Sequence, residues 1–339
     1  MHALVVTFAL WCATVPVSAA TVQPVAETEA VTSSGDAADD PCIWVNASNP
    51  KESLIVGTDK QTGLYVYTLH GKLVQSLPDG QMNNVDIRAG FQGRNGVSTL
   101  VAATNRTNNT IAIYRLDEST GILTGQNKGI ESGVAVYGFC LYRNKAGAMY
   151  AFVTTKEGEI VQWRLQEDES GAVTGKRVRV LRVDGQVEGC VADDALAVLY
   201  VGEETRGIWR FNAEPNAGDE RIAVDTVRPD GRLTADIEGL ALYAKPDGKG
   251  YLVASCQGSN EFAVYSRELG NAFAGSFQVG ATNAIDAVTG TDGIDVCSAS
   301  LGGAFGHGLF VAQDDVDNSG TQNFKLVAWE AIEQVLHLP

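Results

Sequence analysis

The sequence has 339 residues, of which 25 are Lys or Arg and 41 are Asp or Glu, so its formal net charge is −16. A chain this acidic argues against nucleic acid and anionic membrane surfaces as partners, because both are polyanions. It is compatible with binding of cations. Apolar residues make up 45% of the chain, enough for a substantial core in one large domain or two ordinary ones.

Residues 1–20 predict a secretory signal peptide. They contain no Lys, Arg, Asp or Glu, have an apolar centre at 3–17, and end in the small residues Val17-Ser-Ala-Ala20. No later stretch approaches the roughly 18 apolar residues that a membrane-spanning helix needs. We therefore expect residues 21–339 to be secreted, to the periplasm or the extracellular space, without a membrane contact.

Two series of strand-like segments repeat along residues 21–339. The first combines a polar residue with a short apolar strand and begins at Asp40, Asn84, Tyr137, Glu188, Glu238 and Asp292. The second follows each of these at 54–60, 100–106, 151–156, 199–204, 252–257 and 309–314. A period of about 50 residues, with about four strands in each unit, is typical of a propeller.

The repeat therefore predicts an all-β fold, a six-bladed β-propeller with a central channel, in which residues 21–339 form a single domain. Segments 22–31 and 324–329 are expected to be strands that close the ring, and 330–338 to be a short helix.

Loops at one end of a propeller converge on a common mouth, so corresponding residues of the six blades should face each other there. The first series places its six leading residues at this mouth. The second series adds Lys60, Arg106, Lys156, Glu204, Gln257 and Asp314. Carboxylates then come mainly from blades one, four, five and six, and cations from blades one, two and three.

This mixture of charges favours a particular chemistry. Clustered carboxylates suit a hard divalent cation with oxygen ligands, above all Ca²⁺, and three separated cations suit phosphate oxygens. Together they indicate metal-assisted phosphoryl transfer. Any one of these residues alone would more often be a solvated surface group, so the prediction depends on their recurrence. Asp36 is interpreted as a turn residue, Gly189, Gly239 and Gly293 as turn or bulge residues, and Cys42, Cys140 and Cys190 as core packing.

The chain resembles the β-propeller phytases, or alkaline phytases, from about Glu27 to Trp329. The motifs that carry the resemblance are DAADDPCIW (36–44), NNVDIR (83–88), VYGF (136–139), KEGE (156–159), VEG (187–189), TADIEGL (234–240), TDGIDV (291–296), VAQD (311–314) and QNFK (322–325). The family consists of secreted, six-bladed, calcium-dependent enzymes that hydrolyse phosphomonoesters of inositol hexakisphosphate (phytate).

The resemblance implies a role for individual residues. Lys60, Arg106, Tyr137 and Lys156 match residues that bind the scissile phosphate, and with Glu157 and Glu204 they form the catalytic set. Asp39, Glu188, Glu204, Asp236, Glu238 and Asp292 match ligands of active-site calcium ions. Asp40, Asp286, Asp314 and Glu27 match ligands of calcium ions that stabilise the fold. A departure occurs at Gln61, a substrate-binding position where the family commonly has lysine.

The resemblance thus implies a 3-phytase-type phosphoric monoester hydrolase that acts on calcium-phytate as a monomer. A calcium-activated water would attack phosphorus without a covalent enzyme intermediate, and several Ca²⁺ ions would be bound. Two alternatives remain open from the sequence. One is a propeller lactonase or phosphotriesterase that uses Ca²⁺ in its channel, and the other is an exported propeller that only binds a calcium-bridged anionic ligand.

Overall fold

A computed structural model describes residues 19–94, 96–315 and 320–339 of the chain. The predicted signal peptide therefore lies outside the described residues, except for Ala19 and Ala20. The described chain folds into six β-sheets. Among these residues, the helices are too short or too polar to cross a membrane.

The elements follow the repeat in chain order. Two short strands precede the blades, β1 (Ala20–Val22) and β2 (Ala26–Glu27). Blade 1 contains β3 (Ala38–Trp44), β4 (Leu54–Asp59), β5 (Gly63–Thr68) and β6 (Leu73–Leu77). Blade 2 contains β7 (Met82–Gly93), β8 (Gly96–Asn105), β9 (Thr110–Asp117), β10 (Ile122–Gly125) and β11 (Ile130–Glu131). Blade 3 contains β12 (Phe139–Arg143), β13 (Met149–Thr154), β14 (Glu159–Glu167) and β15 (Val173–Arg182).

Blade 4 contains β16 (Val187–Asp193), β17 (Val198–Glu203), β18 (Gly207–Asn212) and β19 (Arg221–Thr226). Blade 5 contains β20 (Ile237–Ala244), β21 (Gly250–Cys256), β22 (Glu261–Ser266) and β23 (Phe273–Val279). Blade 6 contains β24 (Ile294–Cys297), β25 (Leu309–Asp314) and β26 (Asn323–Ala328), followed by the helix α1 (Trp329–Leu336). Single 3₁₀ turns occur at Pro50–Glu52 and Gln257–Ser259.

The first strands of the blades form the inner ring. They contact each other in the order β3, β7, β12, β16, β20 and β24, and β24 contacts β3 again. Each is joined to the next strand of its own blade by antiparallel pairing. The prediction of an all-β, six-bladed propeller is confirmed.

The two ends of the chain meet in blade 6. Strand β2 pairs with β26 in the register Ala26↔Leu326 and Glu27↔Lys325, so the N-terminal segment supplies the outer strand of the last blade. Strand β1 runs parallel to β23 at the edge of blade 5. Helix α1 begins at Trp329, whose ring stacks on Tyr243 at 4.1 Å. The closing strand predicted at 324–329 and the terminal helix are therefore present, whereas the segment predicted as a strand at 22–31 contains only the end of β1 and the two residues of β2.

The core lies between the blades. Inner strands are buried on both faces, so their residues alternate between the two neighbouring interfaces rather than between core and solvent. Phe139 and Leu141 pack between blades 2 and 3, whereas Cys140 and Tyr142 pack between blades 3 and 4. This is why the inner strands appear in the sequence as short, nearly continuous apolar runs.

Inner strands approach each other closely at glycines. A Cβ on Gly189 would lie 1.9 Å from the backbone oxygen of Glu238, and one on Gly239 would lie 2.7 Å from the nitrogen of Ile294. Both glycines sit in β-bulges, between Val187 and Cys190 and between Ile237 and Leu240. Their interpretation as bulge residues is confirmed.

Carboxylates join neighbouring inner strands where backbone N–H groups have no ladder partner. Asp40 Oδ2 accepts a hydrogen bond from Val85 N at 3.0 Å, and Asp86 Oδ2 accepts one from Leu141 N at 2.7 Å. Asp295 Oδ2 accepts one from Ile43 N at 2.8 Å. These bonds connect blade 1 to blade 2, blade 2 to blade 3, and blade 6 to blade 1.

Candidate active site

The mouth residues occupy one position in all six blades. The first residues of the regular inner-strand pairings are Pro41, Val85, Phe139, Cys190, Leu240 and Ile294. Two residues before each of these stand Asp39, Asn83, Tyr137, Glu188, Glu238 and Asp292. The repeat-based placement of Asp40 and Asn84 at the mouth is therefore wrong by one residue. Both line a small pocket deeper in the channel instead.

The misplacement has a simple cause. In blades 3 to 6 the mouth residue is followed by glycine, at 138, 189, 239 and 293. In blades 1 and 2 that position is occupied by Asp40 and Asn84. Because both are polar and directly precede the apolar strand, they resemble the mouth residue of their blades in sequence.

At the mouth lies a cavity of about 570 Å³. It brings together residues from all six blades. Predicted site residues among its lining are Lys60, Arg106, Tyr137, Lys156, Glu188, Glu238 and Asp292. Residues that were not assigned to the site but also line it are Asp36, Asn83, Gly290 and Asp315, together with Gln257, which the repeat had placed at the mouth. The repeat-based placement of Asp314 at the mouth is also wrong by one residue, because Asp315 lines the cavity and Asp314 pairs with Lys325.

Three buried glutamates converge beside this cavity. One carboxylate oxygen each from Glu188, Glu204 and Glu238 lies within 4.8 Å of the others. Burial raises the pKa of all three, and the charges of Glu188 and Glu204 raise that of Glu238 further. The charge of Asp236 also raises the pKa of Glu204. Three like charges held this close in a buried site favour a bound cation.

Unpartnered oxygens support the same conclusion. Glu204 Oε1, Glu238 Oε2 and both carboxylate oxygens of Asp39 are buried without a hydrogen-bond partner among the described residues. Asp39 Oδ1 lies 3.2 Å from the ammonium of Lys60, an ion pair without hydrogen-bond geometry. Because the donor set consists of carboxylate oxygens, the group that fits here is a hard cation such as Ca²⁺.

Lys60 is surrounded by acidic groups. Its Nζ lies 2.7 Å from Asp292 Oδ2 and also pairs with Asp36 and Asp39. Burial alone would lower the pKa of Lys60, but the charges of Asp39 and Asp292 outweigh it and raise that pKa. Burial raises the pKa of Asp39 to about 6 and, together with the charge of Asp39, raises that of Asp292 to about 7.

Arg106 and Lys156 are the exposed cations of the mouth. Arg106 Nη1 donates to Asn83 Oδ1 at 3.0 Å, and Asn83 Nδ2 donates to Glu188 Oε1 at 2.5 Å, so one amide connects a cation to a carboxylate. The Nζ of Lys156 lies 4.5 Å from the centre of the Tyr137 ring. In the described parts of the chain, neither cation has a carboxylate within 4 Å, so both are free to meet an anion.

Two predicted site residues, Glu157 and Gln61, do not line the cavity. Glu157 is exposed beside Lys156 but does not line the cavity. The Gln61 amide donates to the backbone oxygens of Ser34 at 2.9 Å and Asp36 at 3.1 Å, which fixes the loop that carries Asp36. Asp36, interpreted from sequence as a turn residue, lines the cavity as a consequence.

The residues predicted to bind structural calcium are separated into two places. Glu27, Asp286 and Asp314 surround the fully buried ammonium of Lys325, at 2.7, 2.7 and 3.0 Å. Asp40 is not among them, since it bonds to Val85 N in the channel. A calcium ion at the first place would share these carboxylates with Lys325, so its presence there stays a prediction.

Comparisons with known proteins show the family of this chain. The phytase family model matches residues 5–338. The chain is 45% identical over 321 residues to the 3-phytase of Bacillus subtilis (strain 168). The aligned residues make up 91% of this chain and 84% of that protein.

Among solved structures, the chain is similar to regucalcin, a calcium-binding protein of Agrobacterium tumefaciens str. C58. The TM-score is 0.55 at 9% identity, over 91% of this chain and 97% of that chain, a likeness that shows the fold alone. A functionally unknown protein from Desulfotomaculum acetoxidans DSM 771 gives a TM-score of 0.45 at 15% identity, over 69% and 70% of the two chains. On the near-complete family match and the 45% identity, the chain belongs to the phytase family.

Proposed function

We propose that this protein is a calcium-dependent phytase that hydrolyses phosphomonoesters of phytate and releases orthophosphate. The observation that carries the proposal is the presence of two opposite sets of charges in one cavity. Cations from blades 1 to 3 stand beside buried glutamates from blades 4 and 5. A lactonase or a phosphotriesterase would have no need of two exposed cations, Arg106 and Lys156, placed to meet an anionic phosphate.

The chain's own residues have distinct tasks in this reaction. Arg106 and Lys156, which have no carboxylate partners among the described residues, bind the phosphoryl oxygens, and Asn83 orients Arg106. Tyr137 keeps its phenolic proton because burial and then the charge of Glu188 raise its pKa, so it can donate a hydrogen bond to the substrate. Lys60 ties Asp39 to Asp292 across the junction of blades 1 and 6.

Glu188, Glu204, Glu238, Asp39 and Asp292 would hold the active-site calcium. When bound, calcium neutralises the acidic mouth and the substrate and lowers the pKa of bound water. The net charge of −16 would otherwise repel phytate.

One assay tests the proposal. Purified protein is incubated with phytate in the presence of calcium or of a chelator, and with a lactone and a phosphotriester as control substrates. We expect orthophosphate release from phytate only with calcium. Turnover of a control substrate without phosphate release from phytate would favour the lactonase or phosphotriesterase, and phytate binding without any turnover would favour the non-enzymatic binder.

We also propose that the chain is exported and acts as a monomer. The uncharged apolar segment 1–20 supports export, and a ring that closes within one chain needs no second copy to complete its mouth. N-terminal sequencing of protein from the culture medium or periplasm should begin near residue 21, and light scattering should give the mass of one chain.

A further inference from the structure

Two cysteines that the proposed reaction does not use face each other between blades 3 and 4. Cys140 lies on β12 and Cys190 on β16, the inner strands of adjacent blades. Both side chains belong to the same interface cluster, which also contains Tyr142 and Ala192. Their neighbours Leu141 and Val191 turn the other way, into the interfaces with blades 2 and 5.

The register of the two strands brings these thiols to the same level. The backbones of β12 and β16 meet at the mouth, where a Cβ on Gly138 would lie only 1.7 Å from the oxygen of Glu188. Both strands run away from the mouth, and Cys140 and Cys190 each stand two residues beyond this contact. The β-bulge at Gly189 interrupts the alternation in β16, but Cys190 packs in the same interface cluster as Cys140, so both thiols are placed opposite each other.

The remaining contacts agree with this placement. Cys140 and Cys190 line the same small pocket of the channel. Burial raises the pKa of Cys140, and after burial the Cys190 thiol raises it most. Cys42 also lines this pocket, but it packs between blades 1 and 2 and has blade 2 between it and Cys140.

We propose that Cys140 and Cys190 form a disulfide that links the inner strands of blades 3 and 4 when the protein folds in the presence of a disulfide donor. A Cys140 thiolate attacks the donor, RSSR, and releases one RSH; the Cys190 thiolate then displaces the second. Two cysteine thiols and RSSR thus become one protein disulfide and two RSH. Because both thiols are buried in the native fold, the reaction belongs to the folding step rather than to the folded protein.

The test is refolding of the full chain with glutathione disulfide, followed by thiol titration in denaturant and by mass spectrometry of proteolytic peptides. We expect two fewer thiols than in protein refolded with dithiothreitol, and one cross-linked peptide joining Cys140 to Cys190. Cys140→Ser should lose no thiols under the same conditions. Cys42→Ser, the control, removes another channel-lining cysteine and should still lose two.

Thermal unfolding gives a second measurement. The oxidised protein should melt about 5 °C higher than the reduced protein, and dithiothreitol should abolish the difference, because the cross-link restricts the unfolded chain. An unchanged thiol count in correctly folded protein, or a cross-link that involves Cys42, Cys256 or Cys297, would overturn the proposal. Circular dichroism establishes that each variant has folded.

Discussion

Arg106 reaches the mouth from the turn after β8, and its orientation depends on a buried amide. Asn83 holds the guanidinium and at the same time binds Glu188. We expect Arg106→Ala to lower kcat for phosphate release by about 10²-fold or more, because a cation positioned for the charge that develops in the transition state is lost. Glu204→Ala should have a larger effect and abolish calcium-dependent turnover, since it removes one of the three carboxylates that converge at the proposed calcium site.

Both changes should leave the fold intact, as shown by circular dichroism and by an unchanged melting temperature within a few degrees. Arg94→Ala is the matched control, because Arg94 is an exposed arginine at the far end of the β7–β8 hairpin. Near-normal activity in Arg106→Ala or Glu204→Ala would refute the assignment of the site.

Gln61 gives a second prediction at this scale. Its amide holds the loop at Ser34 and Asp36 instead of contributing a positive charge near the mouth. Gln61→Lys should lower KM for phytate by up to about fivefold, the effect of one exposed ion pair of about 1 kcal/mol, with kcat little changed. Initial rates at several phytate concentrations measure this. A raised KM would mean that the loop contact matters more than the added charge.

The sequence predicts the chemistry of the mouth better than its register. Most of the carboxylates and cations that recurrence placed at the mouth line one cavity. Asp40 and Asn84 were misplaced because a polar residue at the glycine position looks like the mouth residue itself. Asn83 carries the same repeat signal one residue earlier, whereas nothing in the sequence distinguishes Asp36 from an ordinary turn residue.

Gly189 shows what the inner strands require of their sequence. A methyl group there would lie 1.9 Å from the backbone of Glu238, which cannot move without displacing a predicted calcium ligand. Gly189→Ala should lower the free energy of unfolding by about 3 kcal/mol. Gly218→Ala is the control, because no atom of the part of the chain that the structure describes lies within 4 Å of the position of its added Cβ. Chemical denaturation compares the two, and equal stabilities would contradict the close approach.

Lys325 joins the two ends of the chain within blade 6. Its ammonium is buried among Glu27 of β2, Asp286 of the connection between β23 and β24, and Asp314 of β25. Lys325→Met should lower the free energy of unfolding by about 3–5 kcal/mol, because it leaves three carboxylates without a counter-charge. Calcium should restore part of this loss if these carboxylates also bind it. Lys128→Met, at an exposed lysine, should leave stability unchanged.

Closure of the ring by both termini was predictable from the repeat. The sixth unit ends one strand short of a four-stranded blade, so the N-terminal segment has to supply the missing strand. The role of Lys325 was not. It stands in a strand that is buried along most of its length, and its partner Glu27 lies 298 residues earlier. No local pattern connects a lysine to a carboxylate at that distance.

The stability of the whole molecule should depend on pH differently with and without calcium. Without it, Asp39 and Asp292 have pKa values of about 6 and about 7, raised from 3.8 by burial. The folded protein then binds more protons than the unfolded chain between about pH 4 and 7, so this contribution to stability is lost as pH rises. Calcium competes with these protons. The difference in melting temperature between calcium-loaded and chelated protein should therefore widen from about pH 5 to 8.

Asp39→Asn provides the control for this prediction. It removes one of the two titrating groups, so the decline in stability of the chelated protein across the same pH range should become shallower. A difference in melting temperature that stays constant with pH would show that these carboxylates are not the ones calcium binds.

The pairing of β2 with β26 also has a consequence for synthesis. Glu27 leaves the ribosome roughly 300 residues before Lys325, its partner in the register. Asp39 of blade 1 likewise leaves the ribosome long before Asp292 of blade 6, with which it shares the ammonium of Lys60. The mouth is therefore complete only when the last blade closes. A chain released early would lack activity altogether, and a cell that exports the protein unfolded would keep it inactive until after translocation.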